Sequence, residues 1–64
     1  MRSDLVDLDM HLHGTRDLSI LASLTGERKD AVWLPKAEIE IELKRDRNIV
    51  VAMPQWLAEE RGLV

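Results

Sequence analysis

Between Glu38 and Leu43 the chain alternates strictly, with Ile39, Ile41 and Leu43 on one parity and Glu38, Glu40 and Glu42 on the other. Strand side chains two apart share a face, whereas on a helix they would spread around the surface, so this run predicts a half-buried strand. Its neighbours extend the pattern. A first strand is expected from Asp4 to His13, with Val6, Leu8, Met10 and Leu12 on one face and Asp7, Asp9, His11 and His13 on the other. Gly14 then supplies the turn, since glycine accepts the positive φ common in hairpin connections. A second strand covers Leu18 to Leu24, where Leu21 breaks the alternation and points to a second packed face or a partner surface.

The third strand, Ala31 to Leu34, is ended by Pro35, which cannot donate to a ladder and sends the chain out through Lys36 and Ala37. Lys44 to Asn48 makes a tight polar connection into a fifth strand, Ile49 to Met53, apolar at both parities as in a strand covered on both faces. Pro54 suits the first position of a helix and Gly62 its left-handed cap, with Trp56 and Leu57 facing the sheet and Glu59 and Glu60 facing water. The predicted architecture is mainly β: a five-stranded antiparallel meander, a small open barrel or twisted sheet, with a short C-terminal α-helix. Residues 1–64 form one small domain.

A chain of 64 residues buries only about 60% of the surface its unfolded form exposes. With no cysteine, neither disulfides nor a thiolate metal site can add stability. Trp33 and Trp56 are the only aromatic side chains of the Phe, Tyr and Trp set, so both are expected in the core, and Trp33→Ala is expected to unfold the protein. The apolar runs are too short for a membrane span, and the Met1 to Asp4 start lacks a hydrophobic signal core; the expectation is a cytoplasmic protein with no membrane contact.

Candidate chemistry is sparse. His11 and His13 lie two apart on one strand beside Asp7 and Asp9, a pattern that could supply zinc or nickel ligands, but no third ligand is evident and a solvated strand face is the favoured reading. Glu38, Glu40 and Glu42 read as a solvated face whose like charges discourage edge association. Ser3, Ser19 and Ser23 lack a nucleophile elbow, and the three glycines are isolated, so neither a catalytic serine nor a phosphate-cradling loop is expected, and no cofactor. The formal charge of -3 opposes binding by many phosphates. Its distribution is uneven, however. In a meander the second and fourth connections share one end, which brings Arg28 and Lys29 toward Lys44, Arg45 and Arg47. Against Glu27, Asp30 and Asp46 those five cations leave a local positive excess, a candidate ligand- or partner-binding cluster.

Trp33-Leu34-Pro35-Lys36, the strand centred on Ile39, and Met53-Pro54-x-Trp56-Leu57-Ala58-Glu59-Glu60-x-Gly62-Leu63 together resemble a family of small phage and prophage proteins. The likeness covers residues 31–64 well and the first strands loosely. That pattern usually has serine after Pro-Lys; Ala37 stands here, so a contact of that hydroxyl is missing. The resemblance implies a phage-type accessory protein working in the cytoplasm of a bacterial host, with no catalytic residue to transfer. Two functional readings follow. The leading one is a non-enzymatic interaction protein that binds a host or phage macromolecule, such as a host-defence factor, with a protein partner and self-association into a homo-oligomer. The second is a module that holds a nucleotide or single-stranded nucleic acid on Arg28, Lys29, Lys44, Arg45 and Arg47.

Overall fold

A computed structural model describes residues 4–64 of the chain; Ser3 lies outside the described residues. It contains five strands, β1 (Leu5–Thr15), β2 (Ser19–Ser23), β3 (Val32–Pro35), β4 (Glu40–Leu43) and β5 (Asn48–Pro54), followed by helix α1 (Gln55–Glu60). Single 3₁₀ turns occupy Arg28–Asp30 and Lys36–Glu38. Every neighbouring pair is antiparallel, and the order across the sheet is β3-β2-β1-β5-β4. This is a meander whose first and last strands have met: β1 and β5 pair from Leu5↔Pro54 to His11↔Asn48, while the gap falls between β3 and β4.

The gap has a local cause. Pro35 ends β3 and the chain turns through Lys36–Glu38 before β4 begins. Four strand spacings would separate β3 from β4 by about 19 Å in a flat sheet. The short connection, partly wound in a 3₁₀ turn, spans only about 13 Å. The sheet therefore rolls into an open half-barrel.

Its interior is filled by Met10, Ile20, Ala22, Leu34, Ile49, Val51 and Met53, with Leu57 and Ala58 of α1 covering one end. The inward parity of β1 is the one read from the sequence, since Val6, Leu8 and Leu12 pack against this cluster around Met10. α1 stops as expected: Gly62 adopts φ 73°, its N–H donates to Glu59 O at 3.1 Å, and Leu63 N–H donates to Ala58 O at 2.8 Å. These paired bonds satisfy carbonyls left free at the helix end, and Leu63 folds back onto the core.

Three expectations are corrected. β1 does not stop before Gly14 but runs to Thr15, because an irregularity between Leu12 and Gly14 absorbs an extra residue, and the turn comes at Arg16, whose N–H donates to Ser19 O at 2.8 Å. Trp33 is not in the core: it is 38% exposed, because Val32 and Leu34 hold the inward parity of β3. Trp56 is 53% exposed, since α1 turns Leu57 and Ala58 inward instead. On the outer face Trp33 lies opposite Leu21, which is 9% exposed, and the Arg16 guanidinium sits 4.4 Å from the Trp33 ring centroid. Leu21 thus belongs to a small second packed face.

Candidate functional site

The end of the half-barrel opposite α1 carries the candidate residues. The β4–β5 hairpin turns tightly, with Asn48 N–H donating to Arg45 O at 2.8 Å. Both central residues are left-handed, Asp46 at φ 54° and Arg47 at φ 69°. Turns of this shape favour Asn-Gly, and a non-glycine residue there costs about 1–2 kcal/mol. Arg47 is held against that cost by β1. Leu12 N–H donates to Arg47 O at 2.8 Å, and Arg47 Nε donates to Leu12 O at 3.1 Å. Its two terminal nitrogens remain free for a ligand.

The β2–β3 connection is shaped by Thr25 and Ser23. Thr25 Oγ1 donates to Asp30 Oδ2 at 2.8 Å and accepts from Glu27 N–H at 3.1 Å. Gly26, at φ 87°, donates its N–H to Ser23 Oγ at 2.9 Å. Ser23 is fully buried and its Oγ lies 2.8 Å from His13 Nε2, so the hydroxyl donates to a neutral His13 while accepting from Gly26. His11 lies beside it, the two ring centroids 5.0 Å apart, with Nδ1 3.4 Å from Asn48 Oδ1.

Partial burial pushes the His13 pKa below its ordinary value, and His11, Arg28 and Arg47 act in the same direction. The last two lie on different connections, Arg28 between β2 and β3 and Arg47 between β4 and β5. Lys44 joins His11, Thr25, Gly26 and Asn48 around a cavity of about 430 Å³ at the same end, where Asp9 is the carboxylate in the lining. Lys44 also pairs with Glu42, at 3.1 Å. Lys29 and Arg45 stay exposed on their turns, with no ion pair or side-chain hydrogen bond among the described residues. Of the five cations, Arg47 is tied to Leu12 O of β1 and Lys44 lines the cavity, while Arg28, Lys29 and Arg45 make no ion pair or side-chain hydrogen bond among the described residues.

The His11 and His13 pair is close, but His13 commits Nε2 to Ser23, and no group of three or more His, Cys, Asp or Glu side chains suited to a metal ion is gathered among the described residues. The Ser23–His13 contact was not foreseeable from spacing, because the irregularity at Leu12/Gly14 alters the register by which they meet. Full burial keeps the Ser23 hydroxyl from any substrate in this arrangement, so its role is to tie β1 to the β2–β3 connection.

The two sheet edges differ. Lys36 N–H donates inward to Leu18 O, so alternation turns Trp33 and Pro35 main-chain groups outward. Arg61 Nε fills Trp33 O at 3.0 Å and Pro35 has no N–H, so the β3 edge keeps the Trp33 N–H as its one outward donor. At β4, Lys44 N–H donates to Asn48 O, which turns the main-chain groups of Ile41 and Leu43 outward. Nothing among the described residues fills them. Ile41 and Leu43 share their parity with the buried Val51 and Ile49, yet are 39% and 74% exposed because no strand follows β4. On the opposite face Glu40 and Glu42 join Asp7 around a shallow cavity floored by Val50 and Ala52.

No family model, no curated protein and no solved structure matches the chain. No helix among the described residues is long and apolar enough to cross a membrane.

Proposed function

We propose that this chain is a phage-type accessory protein that acts in the cytoplasm of a bacterial host by binding a protein, such as a host-defence factor, and performs no catalysis of its own. The observation that carries the reading is the asymmetry of the edges: Arg61 and Pro35 leave β3 a single outward N–H, at Trp33, whereas β4 keeps the outward N–H and C=O of both Ile41 and Leu43 together with their exposed side chains. Such an edge pairs with an extended segment of a partner, main-chain bonds supplying affinity and alternate side chains supplying specificity. Glu40, Glu42 and Asp7 on one face, with Ile41 and Leu43 on the other, select a segment that alternates basic with apolar residues.

The test is capture from host lysate by the wild-type protein and by the Ile41→Lys, Leu43→Lys double variant. Both positions are exposed, so the variant is expected to fold. The reading predicts a stoichiometric protein retained by the wild type and lost by the variant. Equal retention by both, or none by either, would overturn it.

A further inference from the structure

We propose that β4 of the free protein pairs with β4 of a second copy, the two strands lying antiparallel about a two-fold axis at Glu42 and joining two sheets into one. The inference rests on the reading of β4 as the open pairing edge, and it names what occupies that edge when no partner segment does.

The edge itself limits the registers. Ile41 and Leu43 turn their main-chain groups outward, while Lys44 N–H donates inward to Asn48 O at 2.8 Å. Outward residues must meet outward residues across an antiparallel contact, which leaves an axis at Ile41, at Glu42 or at Leu43. Centred on Ile41, the pairing sets Glu40 directly against Glu42 of the second copy, once on each side of the axis, and like charges so placed repel. Centred on Leu43, it sets Ile41 against Arg45, whose carbonyl already closes the hairpin by accepting from Asn48 N–H at 2.8 Å, so the ladder ends early.

Centred on Glu42, the edge complements itself. Ile41 meets Leu43 of the second copy and Leu43 meets its Ile41, which satisfies the outward N–H and C=O groups of both residues in both copies. The same pairs bring apolar side chains together on the core-side face, where Ile41 is 39% and Leu43 74% exposed in a single copy. On the outer face Glu40 meets Lys44 of the second copy on each side of the axis, so both charge pairs attract. Glu42 against Glu42 is the one like-charged contact, and each keeps Lys44 Nζ of its own chain at 3.1 Å. The β3 edge offers nothing equivalent, since Arg61 Nε occupies Trp33 O and Pro35 lacks an N–H. An edge of 4 residues is small for an interface, so the dimer is weak and forms with rising concentration. A partner segment with basic residues opposite both Glu40 and Glu42 displaces it.

The chain has no cysteine, so single introduced cysteines report the register. Across the axis the two Glu42 Cα atoms lie about 4.5 Å apart, within reach of a disulfide, whereas the two Glu40 Cα atoms lie about 14 Å apart, beyond it. With oxidised glutathione, Glu42→Cys is expected to give at least about tenfold more covalent dimer than Glu40→Cys. Sedimentation of the cysteine-free protein up to about millimolar concentration is expected to show a monomer–dimer equilibrium. Glu40→Lys and Lys44→Glu are each expected to weaken it by about fivefold or more, because each change acts on both sides of the axis, and the exchanged double variant is expected to restore it. A monomer throughout that range, equal cross-linking at both positions, or no recovery in the exchanged variant would overturn the inference. Capture of a host protein by a chain that stays monomeric would overturn self-pairing alone, and a dimer that captures nothing would overturn the host-partner reading alone.

Discussion

Trp33 and Leu34 are sequence neighbours with opposite fates, and substituting each in turn tests the placement of the core. Leu34 is 0% exposed within the cluster of Ile20, Met53 and Leu57, so Leu34→Ala leaves a cavity the rolled sheet cannot collapse around. The expected loss is about 2–5 kcal/mol. Trp33→Ala removes the contact with Arg16, at 4.4 Å, which is worth about 0.5–1 kcal/mol at an exposed site. It also uncovers part of Leu21, for about another 1 kcal/mol. The sum, about 1.5–2 kcal/mol, lies within the roughly 3–10 kcal/mol available to a chain of this length. Urea unfolding followed by far-ultraviolet circular dichroism gives both values, since the Trp33 variant would leave only the 53% exposed Trp56 as a fluorophore. With a slope of about 1 kcal/mol per molar, the Leu34 variant is expected to lose at least 2 M of midpoint and the Trp33 variant less. An unfolded Trp33→Ala beside a folded, nearly unaffected Leu34→Ala would refute the placement.

Two further predictions concern the basic end. His13 has a folded pKa below its ordinary value of 6.5, so the unfolded chain takes up the proton more readily. Its contribution to stability is therefore full above about pH 6.5 and is lost as pH falls through the lowered folded value; urea midpoints are expected to drop on acidification, and to drop less in His13→Gln. A midpoint that rises between pH 6.5 and 5 would contradict this. Replacing Arg47 by Gly relieves one left-handed residue at about 1–2 kcal/mol against one lost hydrogen bond worth about 1 kcal/mol, while Asn in place of Asp46 keeps a residue that tolerates the left-handed region and suits the turn. The double variant is expected to unfold at equal or slightly higher urea, and clearly lower stability would show that the turn carries no strain.

What could be read from the sequence was what short-range geometry dictates. The Glu38 to Leu43 alternation is strand from Glu40 onward, the Gly62 stop is a left-handed cap, and Val6, Leu8, Met10 and Leu12 share the core side of β1. Periodicity states which residues share a face but not whether a neighbour covers it. Ile41 and Leu43 therefore carry the parity of buried residues while standing exposed at an open edge. Trp33 was misplaced because Val32-Trp33-Leu34 is apolar at both parities, and the interior fills without it. Of the basic cluster, the convergence of the two connections followed from meander topology. That Arg47 reaches back to Leu12 O did not, because it depends on the left-handed backbone of the hairpin.

The claim that β4 is the binding edge can be measured with amide chemical shifts of the labelled protein during titration with a peptide alternating lysine and valine. The account predicts saturable shifts at the Ile41 and Leu43 amides, little change at Trp33 and Leu34, and no response to the same peptide with glutamate in place of lysine. Shifts centred on β3, or equal responses to both peptides, would contradict it.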